Sequence, residues 1–124
     1  MHLKERVDTL ARGWNEKKKL DKVPRGKVKH FKPQLHDGRL ELSLFCMDEL
    51  SESERWALLD KHSDKKPIPA RSELSTASIL QAGLSIDANW EPERHVNVLN
   101  WPEDEVEQTN SAQCLYAAQT LFMR

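Results

Sequence analysis

Residues 36–47 read His36-Asp37-Gly38-Arg39-Leu40-Glu41-Leu42-Ser43-Leu44-Phe45-Cys46-Met47. Asp37-Gly38 tolerates the positive φ angles of a tight hairpin turn. After it, Leu40, Leu42 and Leu44 alternate with Glu41 and Ser43, the period of a strand with one face in a core. The pattern predicts a strand over 39–47. Its hairpin partner is expected over 28–35, where Pro33 demotes it to an edge or a bulge.

Downstream, Ser51 and Glu54 form a capping-box pattern that opens a helix over 51–62, with Trp56 and Leu59 on its inner face. A loop over 63–69 leads to a helix expected over 72–82. Gly83 stands where a left-handed helix cap belongs. Leu84-Ser85-Ile86 starts a short strand, and Val96 to Trp101 reads as another, with Val96 and Val98 alternating against Asn97. Pro102 ends it. Glu103-Asp104-Glu105 then opens a helix over 104–122, where acidic side chains complement the N-terminal dipole. Its expected buried stripe is Val106, Cys114, Ala117 and Leu121, reinforced by Leu115, Ala118 and Phe122. Upstream, Leu3, Val7, Leu10 and Trp14 recur at helical spacing and predict an amphipathic helix over 3–14.

The fold class that follows is α+β: a small, mainly antiparallel sheet of three or four strands, about three helices packed mostly on one face, and an N-terminal amphipathic helix. Trp56 and Leu121 are expected in the core. The domain division is a basic helix and connector over 1–26 and a single α+β domain over 27–124, Pro24 and Gly26 marking the boundary.

The 124 residues suit one domain, and 31% of them are charged. No apolar run approaches the roughly 20 residues of a membrane span. With no apolar signal segment at the start, a cytoplasmic location with no membrane partner is expected. Cys46 and Cys114 lack metal-like spacing, so two reduced thiols are the default, a disulfide the alternative. The net charge of −1 hides an asymmetry. Residues 1–32 carry 11 Lys or Arg against 4 Asp or Glu, +7; residues 33–124 carry 8 against 16, −8.

No catalytic motif stands out, and none of the five histidines pairs at a metal-binding spacing. No catalytic residue, metal site or cofactor is read. Two groups of residues are candidate binders. One is Arg94, His95 and Asn97 on the Val96 strand, with His30 as the opposite wall. Strand alternation puts His95, Asn97 and Leu99 on one face and Val96, Val98 and Asn100 on the other. The second group is the basic N-terminal segment, where Trp14 with Lys17, Lys18, Lys19, Lys22, Arg25, Lys27 and Lys29 offers an aromatic ring beside positive charges, as single-strand binders do.

The strand Leu40-Glu41-Leu42-Ser43-Leu44-Phe45, the helix Ser53-Glu54-Arg55-Trp56-Ala57-Leu58, the Ala70-Arg71-Ser72-Glu73-Leu74 helix start and the Arg94–Pro102 segment together resemble small bacterial proteins of unassigned function. The resemblance covers residues 28–121, leaves out the basic segment and implies no activity.

Two function classes stand side by side. The first is a non-enzymatic binding or accessory protein that meets an anionic partner, a nucleic acid or an acidic protein surface, through its basic N-terminal arm. The same apolar helix face could instead dock on the body, on a protein partner or on a second copy as a homodimer. The second is a small enzyme, or a nucleotide- or anion-binding domain, built around Arg94 and His95.

Overall fold

The computed structural model describes residues 7–15, 27–64 and 66–124. Among them, seven strands form one antiparallel sheet. They are β1 (Thr9–Trp14), β2 (Gln34–His36), β3 (Arg39–Cys46), β4 (Ala70–Ser75), β5 (Ser85–Asp87), β6 (His95–Leu99) and β7 (Thr120–Met123). The order across the sheet is β5-β6-β3-β1-β4-β7, with β2 paired to β3. Three α-helices lie wholly among the described residues: α1 (Glu52–Lys61), α2 (Thr76–Gln81) and α3 (Glu105–Ala118). None of the described helices is long and apolar enough to cross a membrane.

The central hairpin follows from its sequence. Asp37 and Gly38 take φ of 51° and 77°, so β2 and β3 pair His36 with Arg39 across a tight turn. The first strand is shorter than expected. Lys29–Phe31 is a 3-10 turn, and pairing begins only at Gln34, after Pro33. On β3, Leu42, Leu44 and Cys46 face a core layer with Val96 and Val98 of β6, Ile79 of α2 and Ala112 and Leu115 of α3.

The opposite face carries a second layer. Leu58 and Leu59 of α1 pack there with Ala11, Met47 and Ile68. The helices therefore cover both faces, not one. On α1 the capping box forms as expected: Glu54 N–H donates to Ser51 Oγ at 3.2 Å and Ser51 N–H to the Glu54 carboxylate at 2.8 Å. Gly83 takes φ of 83° after α2.

Three stretches differ from expectation, each for a physical reason. Residues 9–14 are a strand, not a helix. Leu10 and Trp14 are four apart, a spacing that keeps two residues on one side of a helix and of a strand alike. The strand is β1, held between β3 and β4 by Leu10 opposite Cys46 and Leu74. It is internal to the sheet, so a division after residue 26 does not separate it from the body. Residues 1–6 of the expected helix lie outside the described residues.

The helix expected over 72–82 begins only at Thr76. Ala70 to Leu74 are all buried, because β4 lies inside the sheet and is covered on both faces. Arg71 is fully buried. Its guanidinium bonds Glu52 through two 2.8 Å contacts and Glu73 at 2.8 Å, and lies between the rings of Trp56 and Phe122 at 4.5 and 4.4 Å. Paired charges let a charged segment enter the core.

The last helix stops at Ala118, and Gln119 turns extended to start the edge strand β7. Its buried residues are Ala112 and Leu115, while Val106 is exposed. Leu121 is 38% exposed on β7, and Trp56 is half-buried over Arg71, so neither is the core residue the sequence suggested. Both cysteines are free thiols. Cys46 is buried, and burial pushes its pKa up to about 11; Cys114 is exposed.

Candidate functional site

The second face of the sheet is unevenly covered. α1 lies over β1, whereas β3 and β6 are left with polar side chains. The β3–β6 register places Ser43 opposite Asn97 and Phe45 opposite His95, and Glu41 is on the same face two residues on. Above them is a cleft of about 610 Å³, lined by Arg12, Glu41, Ser43, Asn89, His95 and Asn97 among others. A second hollow of about 350 Å³ adjoins it along α1 and contains Phe45, Leu59 and His62. Arg12, Ser43 and His95 line both, so the two hollows meet at these residues.

Each central residue is placed by the backbone. Past Ala11–Phe45 the β1–β3 register ends, and Arg12 reaches across instead: its Nη1 donates to Ser43 O at 3.0 Å. The remainder of that guanidinium is poorly served. Its buried Nε has no hydrogen-bond partner among the described residues, and burial lowers its pKa. No carboxylate among the described residues forms an ion pair with it. Glu41, the nearest acidic residue on the β3 face, is bound instead by Arg39 at 2.6 Å.

His95 and Asn97 are 9% and 4% exposed. The loop 88–94 folds back on β6, with Trp90 N–H donating to His95 O at 3.0 Å and His95 N–H to Pro92 O at 2.9 Å. This sets Asn89 Oδ1 2.9 Å from His95 Nδ1. The same oxygen accepts the Glu91 N–H at 3.1 Å. An atom that accepts a backbone N–H is the amide oxygen, so His95 Nδ1 is the protonated nitrogen and Nε2 carries the lone pair. Burial, and to a lesser degree the nearby His62, lowers the His95 pKa against the opposing pull of Glu41 and Asp87. The ring is therefore neutral at pH 7 and Nε2 is an acceptor. The Asn97 Oδ1 is buried with no partner among the described residues.

Comparison with protein-family models, with curated proteins and with solved structures finds no match. The site is read from its chemistry alone.

Of the expected ligand set, the structure unites two members and separates two. His95 and Asn97 share the cleft, on the face that alternation assigned them, with Val96 and Val98 in the opposite core. Arg94 turns away. It takes φ of 61°, and its guanidinium donates to the carbonyls of Cys46, at 2.8 Å, and Asp48, closing the end of β3. Two of its donors serve backbone carbonyls, and it does not line the cleft. His30 is not the opposite wall either: it stacks on Trp14 with ring centroids 3.7 Å apart.

Trp14 is 2% exposed, and its Nε1 donates to Ser72 Oγ at 2.8 Å. A ring buried this way offers no platform for a nucleic-acid base. Lys27 is half-buried and Lys29 exposed beside the 3-10 turn, while Lys17, Lys18, Lys19, Lys22 and Arg25 lie outside the described residues. Sequence reading missed Arg12, Ser43 and Asn89. Ser43 was legible as a polar residue facing away from the Leu40, Leu42 and Leu44 core. Arg12 gave no signal, because residues 9–14 read as a helix. Among the described residues no three His, Cys, Asp or Glu side chains converge to hold a metal ion.

Proposed function

We propose that this protein is a binding protein for a small anionic ligand, taken into the cleft around Arg12, His95 and Asn97. One observation carries the reading: half-buried Arg12 lines a cleft of about 610 Å³ with its Nε buried and unpartnered and with no carboxylate partner among the described residues. A guanidinium remains charged at any ordinary pH. Held half-buried without a carboxylate, it is stabilised by an anion, and a carboxylate or phosphate oxygen meets its geometry directly. The cleft volume falls in the range of small-molecule sites.

The site thus keeps the anion-binding idea of the sequence and moves its cation from Arg94 to Arg12. It also differs from an arm that binds nucleic acid, since the aromatic residue of that arm is buried. The test is an amide NMR titration of the full chain with inorganic phosphate at millimolar concentration. Shifts are expected at Arg12, Ser43, His95 and Asn97, and Arg12→Gln should remove them with the sheet intact by circular dichroism. Shifts that survive in Arg12→Gln, or none in the wild type, would reject the reading.

A further inference from the structure

The cleft presents unspent acceptors beside its donors, and those acceptors define the rest of the ligand. His95 presents the Nε2 lone pair, because Asn89 occupies Nδ1. Asn97 Oδ1 has no donor among the described residues. Glu91 is exposed on the cleft rim, and Asp37 lies at the far end, its Oδ2 3.5 Å from His36 Nε2. Glu41 keeps one oxygen beyond its Arg39 pair. Against these stands one cation without a carboxylate, Arg12.

A bare inorganic anion satisfies Arg12 but meets these acceptors with repulsion or with nothing to donate. An apolar anion would bury the same acceptors unpaired, which costs their lost hydrogen bonds to water. The complementary ligand carries one anionic group and several O–H donors. Planar Asn, Glu and His acceptors spread across one sheet face match neighbouring hydroxyls of a sugar, each of which donates once and accepts from others.

We infer that the cleft recognises a phosphorylated sugar, its phosphate on Arg12 and its hydroxyls on Asn97, His95 and Glu91. This rests on the anion-binding reading above and specifies its ligand. Two sources supply such a group: a free sugar phosphate, and the ribose phosphate of a mononucleotide. The adjoining hollow beside Phe45 and His62, whose rings stack at 4.8 Å, has room for a base in the second case.

Isothermal titration of the full chain with ribose 5-phosphate, AMP, ribose and inorganic phosphate tests this. Ribose 5-phosphate should bind about tenfold more tightly than either ribose or inorganic phosphate. AMP should equal it if the source is a free sugar phosphate and exceed it if the source is a nucleotide. Glu91→Gln, a change at an exposed rim position, should weaken ribose 5-phosphate several-fold and leave inorganic phosphate unaffected or tighter. Ribose 5-phosphate no tighter than inorganic phosphate, or Glu91→Gln weakening the two ligands alike, would overturn the inference while the anion site stands. Failure of inorganic phosphate and ribose 5-phosphate alike to bind would remove both.

Discussion

His95 Nδ1 lies 2.9 Å from Asn89 Oδ1, an oxygen already fixed by the Glu91 N–H, so a loop six residues upstream sets the tautomer of a histidine inside the sheet. The lone pair of Nε2 is thereby held on the other side of the ring. Two-bond nitrogen–proton correlation spectra of the imidazole should show His95 as the Nδ1-protonated tautomer near pH 7. Asn89→Ala should convert it to a tautomer mixture. An Nε2-protonated ring in the wild type would show that the loop does not direct it.

The same burial makes His95 a source of pH-dependent stability. Its folded pKa is below the ordinary value of 6.5, first through desolvation. The unfolded chain therefore binds the proton more readily, and stability rises with pH across that window. His95 contributes fully above 6.5, and the contribution is lost as pH falls from there through the folded pKa. Urea midpoints should fall as pH drops below 6.5, and His95→Gln should flatten that part of the profile. An unchanged slope in the variant would assign the dependence to other groups.

Arg71 joins α1, β4 and β7 through charge. Its side chain is fully buried, while Glu73 is 10% exposed and also bound by Arg55 at 3.0 Å. Truncation leaves Glu73 with one cation in a dry site. Arg71→Ala should cost about 3–5 kcal/mol by chemical denaturation. Arg71→Met with Glu73→Gln should recover part of that, since no fully buried charge is then left unpaired and Arg55, partly exposed, keeps the Leu50 carbonyl. A double variant worse than Arg71→Ala would mean that the stacking between Trp56 and Phe122 dominates.

The N-terminal strand is a structural member of the sheet. β1 joins the β5-β6-β3 half to the β4-β7 half, and Leu10 is fully buried. Leu10→Ala should cost about 2–5 kcal/mol in urea denaturation. A cost within about 0.5 kcal/mol, typical of surface positions, would contradict the place of β1 between β3 and β4.

Several features of this protein were determined by sequence alone because short-range chemistry decides them. Asp37-Gly38 fixes the hairpin, Leu40, Leu42 and Leu44 fix the inward face of β3, Ser51 with Glu54 caps α1, and Gly83 ends the turn after α2. Each involves residues a few positions apart, whose backbone preferences or side-chain bonds act before any tertiary contact forms. The facing of His95 and Asn97 away from Val96 and Val98 is of the same kind, since a strand has a period of two.

Tertiary structure decided the rest. Leu10 and Trp14 satisfy helix and strand spacing equally, and the vacancy between β3 and β4 selects the strand. The Ala70–Leu74 segment looks helical because Arg71 and Glu73 break any apolar run, yet Glu52 and Arg55 on α1 neutralise them and admit the segment to the core. Leu121 and Phe122 continue a helical pattern, and the open edge of β4 draws them into β7. The cleft belongs wholly to this level. Arg12 meets His95 and Asn97 only because β1 and β6 flank β3, and nothing local to either strand records that the other will be there.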